Sequence, residues 1–151
     1  MQRVLIIEDG LEYSETLARF LGDRFTFERA GSGPEALARL GQGPPPTAVF
    51  LDMRFDRTPE EELWGDLDDL LDRFNGDPAQ ARRFREDHQG TFVLARLRKE
   101  GFTVPVLLSY DFDGEPRRWQ RLQQRFGPVD FLPDNASPHD VASRLEALAK
   151  G

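Results

Sequence analysis

Strand-length apolar runs alternating with helical patterns constrain this chain more than any other feature. Val4-Leu5-Ile6-Ile7 and Ala48-Val49-Phe50-Leu51 are short and continuously apolar, as expected of strands buried on both faces. Val104 to Leu108 and Val129-Asp130-Phe131-Leu132 repeat the signal, and Phe25 and Phe27 alternate with polar neighbours as in a less buried strand. Between these runs apolar residues recur at helical spacing, as at Tyr13, Leu17, Phe20 and Leu21, or at Val141, Leu145 and Leu148. Gly33-Pro34 and Ser137-Pro138 are helix starts with proline at the first helical position. Five strands alternating with five helices predict an α/β domain with a doubly wound parallel sheet, a single unit over residues 1–151.

Residues 56–89 break the rhythm. They hold eleven acids and five arginines, −6 of the chain's net −7. Thr58-Pro59 with Glu61 predicts one helix start, and Asp77-Pro78 a second. Leu63, Leu67, Leu70, Leu71 and Phe74 form a stripe with Trp64 beside it, and Ala81 and Phe84 a weaker one. The expectation is an acidic helical hairpin inserted after the third strand, its stripe packed on the parent domain and its acids in water. Asp66, Asp68, Asp69 and Asp72 lack the glycine and terminal glutamate of a calcium loop.

Composition narrows the function classes. Without cysteine there is neither a disulfide framework nor a thiolate metal site. The first apolar run is far too short to span a membrane, so a soluble, cytoplasmic protein is expected. An acidic surface repels phosphate backbones, which argues against direct nucleic-acid binding. Arg117, Arg118, Arg121 and Arg125 lie opposite Trp119, Leu122 and Phe126 on a predicted helix, and are read as a solvated face that could also meet an acidic partner.

Ligands of open parallel sheets bind beyond the carboxyl ends of the strands. Glu8 and Asp9 end the first strand, and Asp52 ends the third. Carboxylates gathered there repel one another, and a hard, oxygen-seeking cation relieves that repulsion.

These residues carry a resemblance. Val4 to Asp9, Leu51-Asp52-Met53, the strand ending at Ser109 and the Asp130-Phe131-Leu132 strand resemble a response-regulator receiver domain over residues 1–55 and 90–149. The resemblance implies a flavodoxin-like strand order 2-1-3-4-5. It implies Asp52 as phosphoacceptor and Ser109 as the hydroxyl that hydrogen-bonds the phosphate. It also implies a Mg²⁺ held by Asp9, Asp52 and the Arg54 backbone carbonyl, with Glu8 holding a metal-bound water. Phe131 matches the aromatic that moves with Ser109 on activation.

The chain departs from that pattern around the same pocket. The family's phosphate-pairing lysine falls on Leu132 or on Asp134, depending on which neighbour anchors the match. The chain's two lysines, Lys99 and Lys150, stand elsewhere. Tyr110 replaces a small residue, Asp111 and Asp113 add acids to the rim, and the hairpin delays the next helix. The expectation is an atypical, stand-alone receiver, not an enzyme, acting through protein contacts with a histidine kinase or downstream signalling protein. The hairpin is expected to cover the acceptor site. A working Mg²⁺-dependent phosphoreceiver is the alternative. A phosphatase-like enzyme on the same fold is a second, for which neither a general acid nor a phosphate loop is present.

Overall fold

In the computed structural model, which describes residues 1–151, five parallel strands lie in the order β2-β1-β3-β4-β5. They are β1 (Gln2–Ile7), β2 (Phe25–Ala30), β3 (Ala48–Asp52), β4 (Val106–Ser109) and β5 (Val129–Leu132). The helices are α1 (Glu12–Leu21), α2 (Gly33–Leu40), α3 (Leu67–Arg73), α4 (Pro78–Asp87), α5 (Gln89–Lys99), α6 (Pro116–Phe126) and α7 (Pro138–Lys150). No helix is long and apolar enough to cross a membrane.

Alternate strand residues face opposite sides, so each central strand feeds two cores. Val4, Ile6, Phe50 and Leu107 pack with Leu17 and Leu21 of α1 and Val141 and Leu145 of α7. Leu5, Ile7, Val49, Leu51, Val106 and Leu108 pack with Ala36 and Leu40 of α2, Val93, Leu94 and Leu97 of α5, and Leu122 of α6. Each buried branched side chain contributes about 1.5–3 kcal/mol. Ser137 caps α7 as expected, whereas α2 starts at Gly33, with Pro34 second, under a cap not expected from the sequence. Ser32 Oγ accepts from the Glu35 amide, and Ser137 Oγ from that of Asp140.

The inserted hairpin corrects one expectation. Thr58-Pro59 opens only a 3₁₀ turn, Glu60–Glu62, and Thr58 Oγ1 donates to the Gly31 carbonyl instead of capping a helix. The chain then extends through Leu63, turns at Gly65 with φ of +115°, and starts α3 at Leu67 under an Asp66 cap. The cause is Gln89. Its buried amide accepts from the Trp64 N–H and donates to the Trp64 carbonyl, both at 2.8 Å. A side chain that satisfies both backbone polar groups of one half-buried residue holds that stretch extended and out of a helix. Beyond it α3 and α4 form the predicted hairpin, closed by Phe74 on Phe84 and buried at Leu70 and Ala81.

Gly90 brings the first turn of α5 against the end of β3. A Cβ there would lie 2.5 Å from the Asp52 carbonyl oxygen and 2.9 Å from the Met53 Cα. A helical Gly→Ala change normally stabilises by about 0.8–1 kcal/mol. Gly90→Ala is therefore expected to act in the opposite sense, destabilising by about 1–3 kcal/mol in urea unfolding as the overpacked backbone shifts. Gly114→Ala, which meets open space, is expected to change stability little.

Candidate functional site

The carboxyl ends of β1, β3, β4 and β5 surround an open cavity of about 990 Å³. Asp9, Asp52, Ser109, Tyr110 and Asp134 line it, as do Tyr13 from α1 and Arg54 and Arg57 from the segment after β3. Parallel register sets Asp52 directly beside Ser109, and Ser109 beside Leu132. Burial is the main force on Asp52 and raises its pKa to about 7; Asp9, Glu8 and Asp134 push in the same direction, against one hydrogen bond from the Met53 amide.

Glu8 has a structural job that the sequence did not show. Its carboxylate is buried and accepts from the amides of Tyr13 and Ser14 at 3.1 and 2.6 Å and from Ser14 Oγ at 2.6 Å. Leu11, the N-cap of α1, offers no side-chain acceptor, so Glu8 caps the helix from the strand end. An anion on the free amides of a helix N-terminus is well placed, and the three donors use most of its roughly four acceptor sites. Asp9 remains on the cavity, with one oxygen accepting from the Arg57 amide at 2.6 Å.

Ser109 is also engaged. Tyr13 Oη lies 2.7 Å from Ser109 Oγ and donates a longer bond, 3.4 Å, to the Asp134 carbonyl. Burial raises the Tyr13 pKa, so the phenol stays protonated. Its ring rests on Phe50 at 4.9 Å between centroids. From the spacing alone Tyr13 belongs to the apolar stripe of α1. The readable signal is its place in the first helical turn after the acidic strand end, where a phenol can keep its ring in the core and its hydroxyl over the site.

The two alternatives for the departed lysine occupy different places. Leu132 is buried among Val4, Ile6, Leu17 and Val141, with its carbonyl accepting from the Tyr110 amide. Asp134 reaches the cavity rim. Neither Lys99 nor Lys150 lines the cavity. The guanidinium groups that do are already paired: Arg57 with Glu12 at 2.7 Å, and Arg54 with Asp56 and Asp87 at 3.3 Å each.

Tyr110 turns toward α6. Its hydroxyl donates to Glu115 at 2.5 Å, and its ring packs against Phe112 and under the Arg118 guanidinium. Arg118 also bonds Glu115 and His88, so it is a bridge within the fold and not the solvated arginine its spacing suggests. Phe131 sits edge-on against Trp119 and Phe112, at 4.8 and 5.4 Å between centroids. The hairpin does not cover Asp52. Only its roots, Asp56-Arg57 and Asp87-His88, line the cavity, and nothing from 58 to 86 does. Ahead of α3, Trp64 lies outside the cavity, against Gly33 of α2 and Arg96 of α5.

No three acidic or histidine side chains converge as metal ligands. Asp9 and Asp52 are two of the carboxylates that line the cavity, and two carboxylates with water and a carbonyl oxygen suit Mg²⁺. The upward push of Asp9 on Asp52 is the repulsion such an ion relieves.

The raised Asp52 pKa fixes a sign. From pH 3.8, its ordinary value, to about 7, the folded state retains a proton that the unfolded state releases, so stability falls as pH rises through that window. Asp52→Asn removes this contribution. The variant is expected to match the parent near pH 4 and exceed it by about 2–4 kcal/mol at pH 8, measured by urea unfolding without divalent ions. An advantage equal at both pH values would contradict the assignment.

No protein-family model and no curated protein sequence matches this chain. Solved structures do. A Francisella response regulator 1452 receiver domain superposes with a TM-score of 0.67 at 16% identity, over 99% of this chain and 98% of that one. Chemotaxis protein CheY4 of Vibrio cholerae gives 0.64 at 16% identity, over 98% of both chains. An adenylate cyclase structure from Rhodopirellula baltica gives 0.67 at 19%, over 99% and 87%. At these identities the likeness establishes architecture: the chain has the flavodoxin-like receiver fold, with strand order 2-1-3-4-5 and helices on both faces.

Proposed function

We propose that the chain is an atypical receiver module of two-component signalling that acts through protein contacts, and in which a phosphate on Asp52 does not supply the switch. The observation that carries this reading is the charge around Asp52. No uncommitted cation reaches it, and Asp134 adds a further negative group on the cavity rim. A carboxylate accepts a phosphoryl group well only when donors and metal neutralise the incoming oxygens. Losing one charge-assisted contact to phosphate costs about 1.5–3 kcal/mol.

Asp9, Asp52 and the Arg54 carbonyl are the groups that would hold Mg²⁺. A bound ion would supply charge neutralisation at the acceptor carboxylate. Glu8 would favour it through its charge while remaining on the α1 amides. Ser109 would have to leave Tyr13 to reach a phosphate, and Phe131 would have to leave Trp119 and Phe112. Both partners favour the unswitched arrangement. The contact surface is the face of β4, β5, α6 and α7 with the hairpin beside it, and the partner a histidine kinase or a downstream signalling protein.

A working phosphoreceiver is favoured by one observation, that Asp9 and Asp52 share the cavity beside a seryl hydroxyl. Amide NMR separates the two readings. Mg²⁺ is expected to shift the Asp9 and Asp52 amides saturably, and beryllofluoride added afterwards to leave Ser109 and Phe131 where they were. A saturable beryllofluoride response at Ser109 and Phe131 would establish the phosphoreceiver instead.

A further inference from the structure

A second cavity, of about 510 Å³, lies between the hairpin, α5 and α6. It shares no residue with the acidic pocket. Phe84, Thr91, Phe92 and Leu122 supply an uncharged, largely apolar wall, and Arg73, Arg117, Arg118 and Arg121 the cationic one; no carboxylate lines it. Arg118 is held by Glu115 and His88. Arg73, Arg117 and Arg121 are exposed and have no carboxylate partner, although acids outnumber lysines and arginines by 27 to 20 in this chain. Arg73 lies over the Phe84 ring at 4.9 Å, which fixes its guanidinium at the cavity edge without neutralising it.

A fold this rich in carboxylates leaves arginines unpaired at little cost only where water or a ligand serves them. Here they flank an apolar wall, and that combination selects a ligand with both characters. A polynucleotide is a poor match, because the chain as a whole carries a net charge of −7 and a cavity of this size cannot follow a phosphate backbone. The volume is that of a pocket for a compact group and not of a long channel. We propose that this groove binds an acidic peptide segment of a partner protein, its carboxylates on Arg73, Arg117 and Arg121 and an apolar side chain against Phe92 and Leu122. The choice of a polypeptide rests on the reading of the chain as a protein-contact module; the groove stands on its own geometry. Arg73 comes from the inserted hairpin and Arg117 and Arg121 from α6, so the insertion supplies one of the three arginines and, with Phe84, part of the apolar wall.

The test uses the full chain and a fluorescein-labelled synthetic peptide of glutamates around two central leucines, followed by anisotropy. Binding is expected to weaken at least about tenfold when Arg117→Glu and Arg121→Glu are combined, and to weaken with added salt. Replacing the leucines by serine is expected to weaken it about tenfold, the scale of one apolar anchor. Near-ultraviolet circular dichroism of Trp119 confirms that the variant is folded. Equal binding by parent and charge-reversed variant, equal binding of a lysine-for-glutamate peptide, or binding of ATP or pyrophosphate without binding of the peptide would overturn the proposal. The response to Mg²⁺ and beryllofluoride is a separate readout, since the two cavities share no lining residue and the substituted Arg117 and Arg121 line only the groove.

Discussion

Unrelieved repulsion among carboxylates at one end of a parallel sheet is the constraint around which the rest of this structure is arranged. Parallel register carries every strand end to the same edge, so acids that end separate strands must meet there. Glu8, Asp9, Asp52 and Asp134 do so, and at Asp52 burial, with the charges of Asp9, Glu8 and Asp134 added to it, raises the pKa to about 7. Water screens such charges at the rim but not in the wall of a buried strand.

The surrounding residues each reduce part of that repulsion. Glu8 is drawn onto the α1 amides, where the helix terminus favours an anion. Arg29 holds the loop after β1 through the Gly10 and Glu8 carbonyls, and the Arg57 amide meets Asp9. Tyr13 and Ser109 give each other hydrogen-bond partners beside Asp52. These contacts order the pocket without bringing in an uncommitted cation. Its positive groups are spent on neighbouring acids, whereas Arg73, Arg117 and Arg121, which have no carboxylate partner, line the separate groove beside the hairpin.

The sheet and its acidic edge were legible because continuous apolar runs in an α/β alternation have one economical solution, and that solution carries Asp9, Asp52 and Ser109 to one end. What was not legible depends on side chains far apart in sequence. Thr58-Pro59 reads as a helix start, and only Gln89, 25 residues after Trp64, turns the next stretch into an extended loop; Gly65 inside the helical pattern was the available warning. Glu8 reads as a site acid because its distance from the α1 amides is set by a turn with no helical period. Arg118 reads as solvated because periodicity shows the side of a helix, not what stands across from it, and His88 and Tyr110 do. The hairpin was correctly read as an insertion, but composition could not say that it leans toward α5 and α6 and leaves the acceptor open.

The account depends on Asp52 being a carboxylate held near neutrality by its surroundings. Titration of its side-chain carboxyl carbon by NMR, in selectively labelled protein without divalent ions, measures this directly. A midpoint near 7, moving downward when Mg²⁺ is added, is the predicted result. A midpoint near 4, unchanged by Mg²⁺, would contradict it.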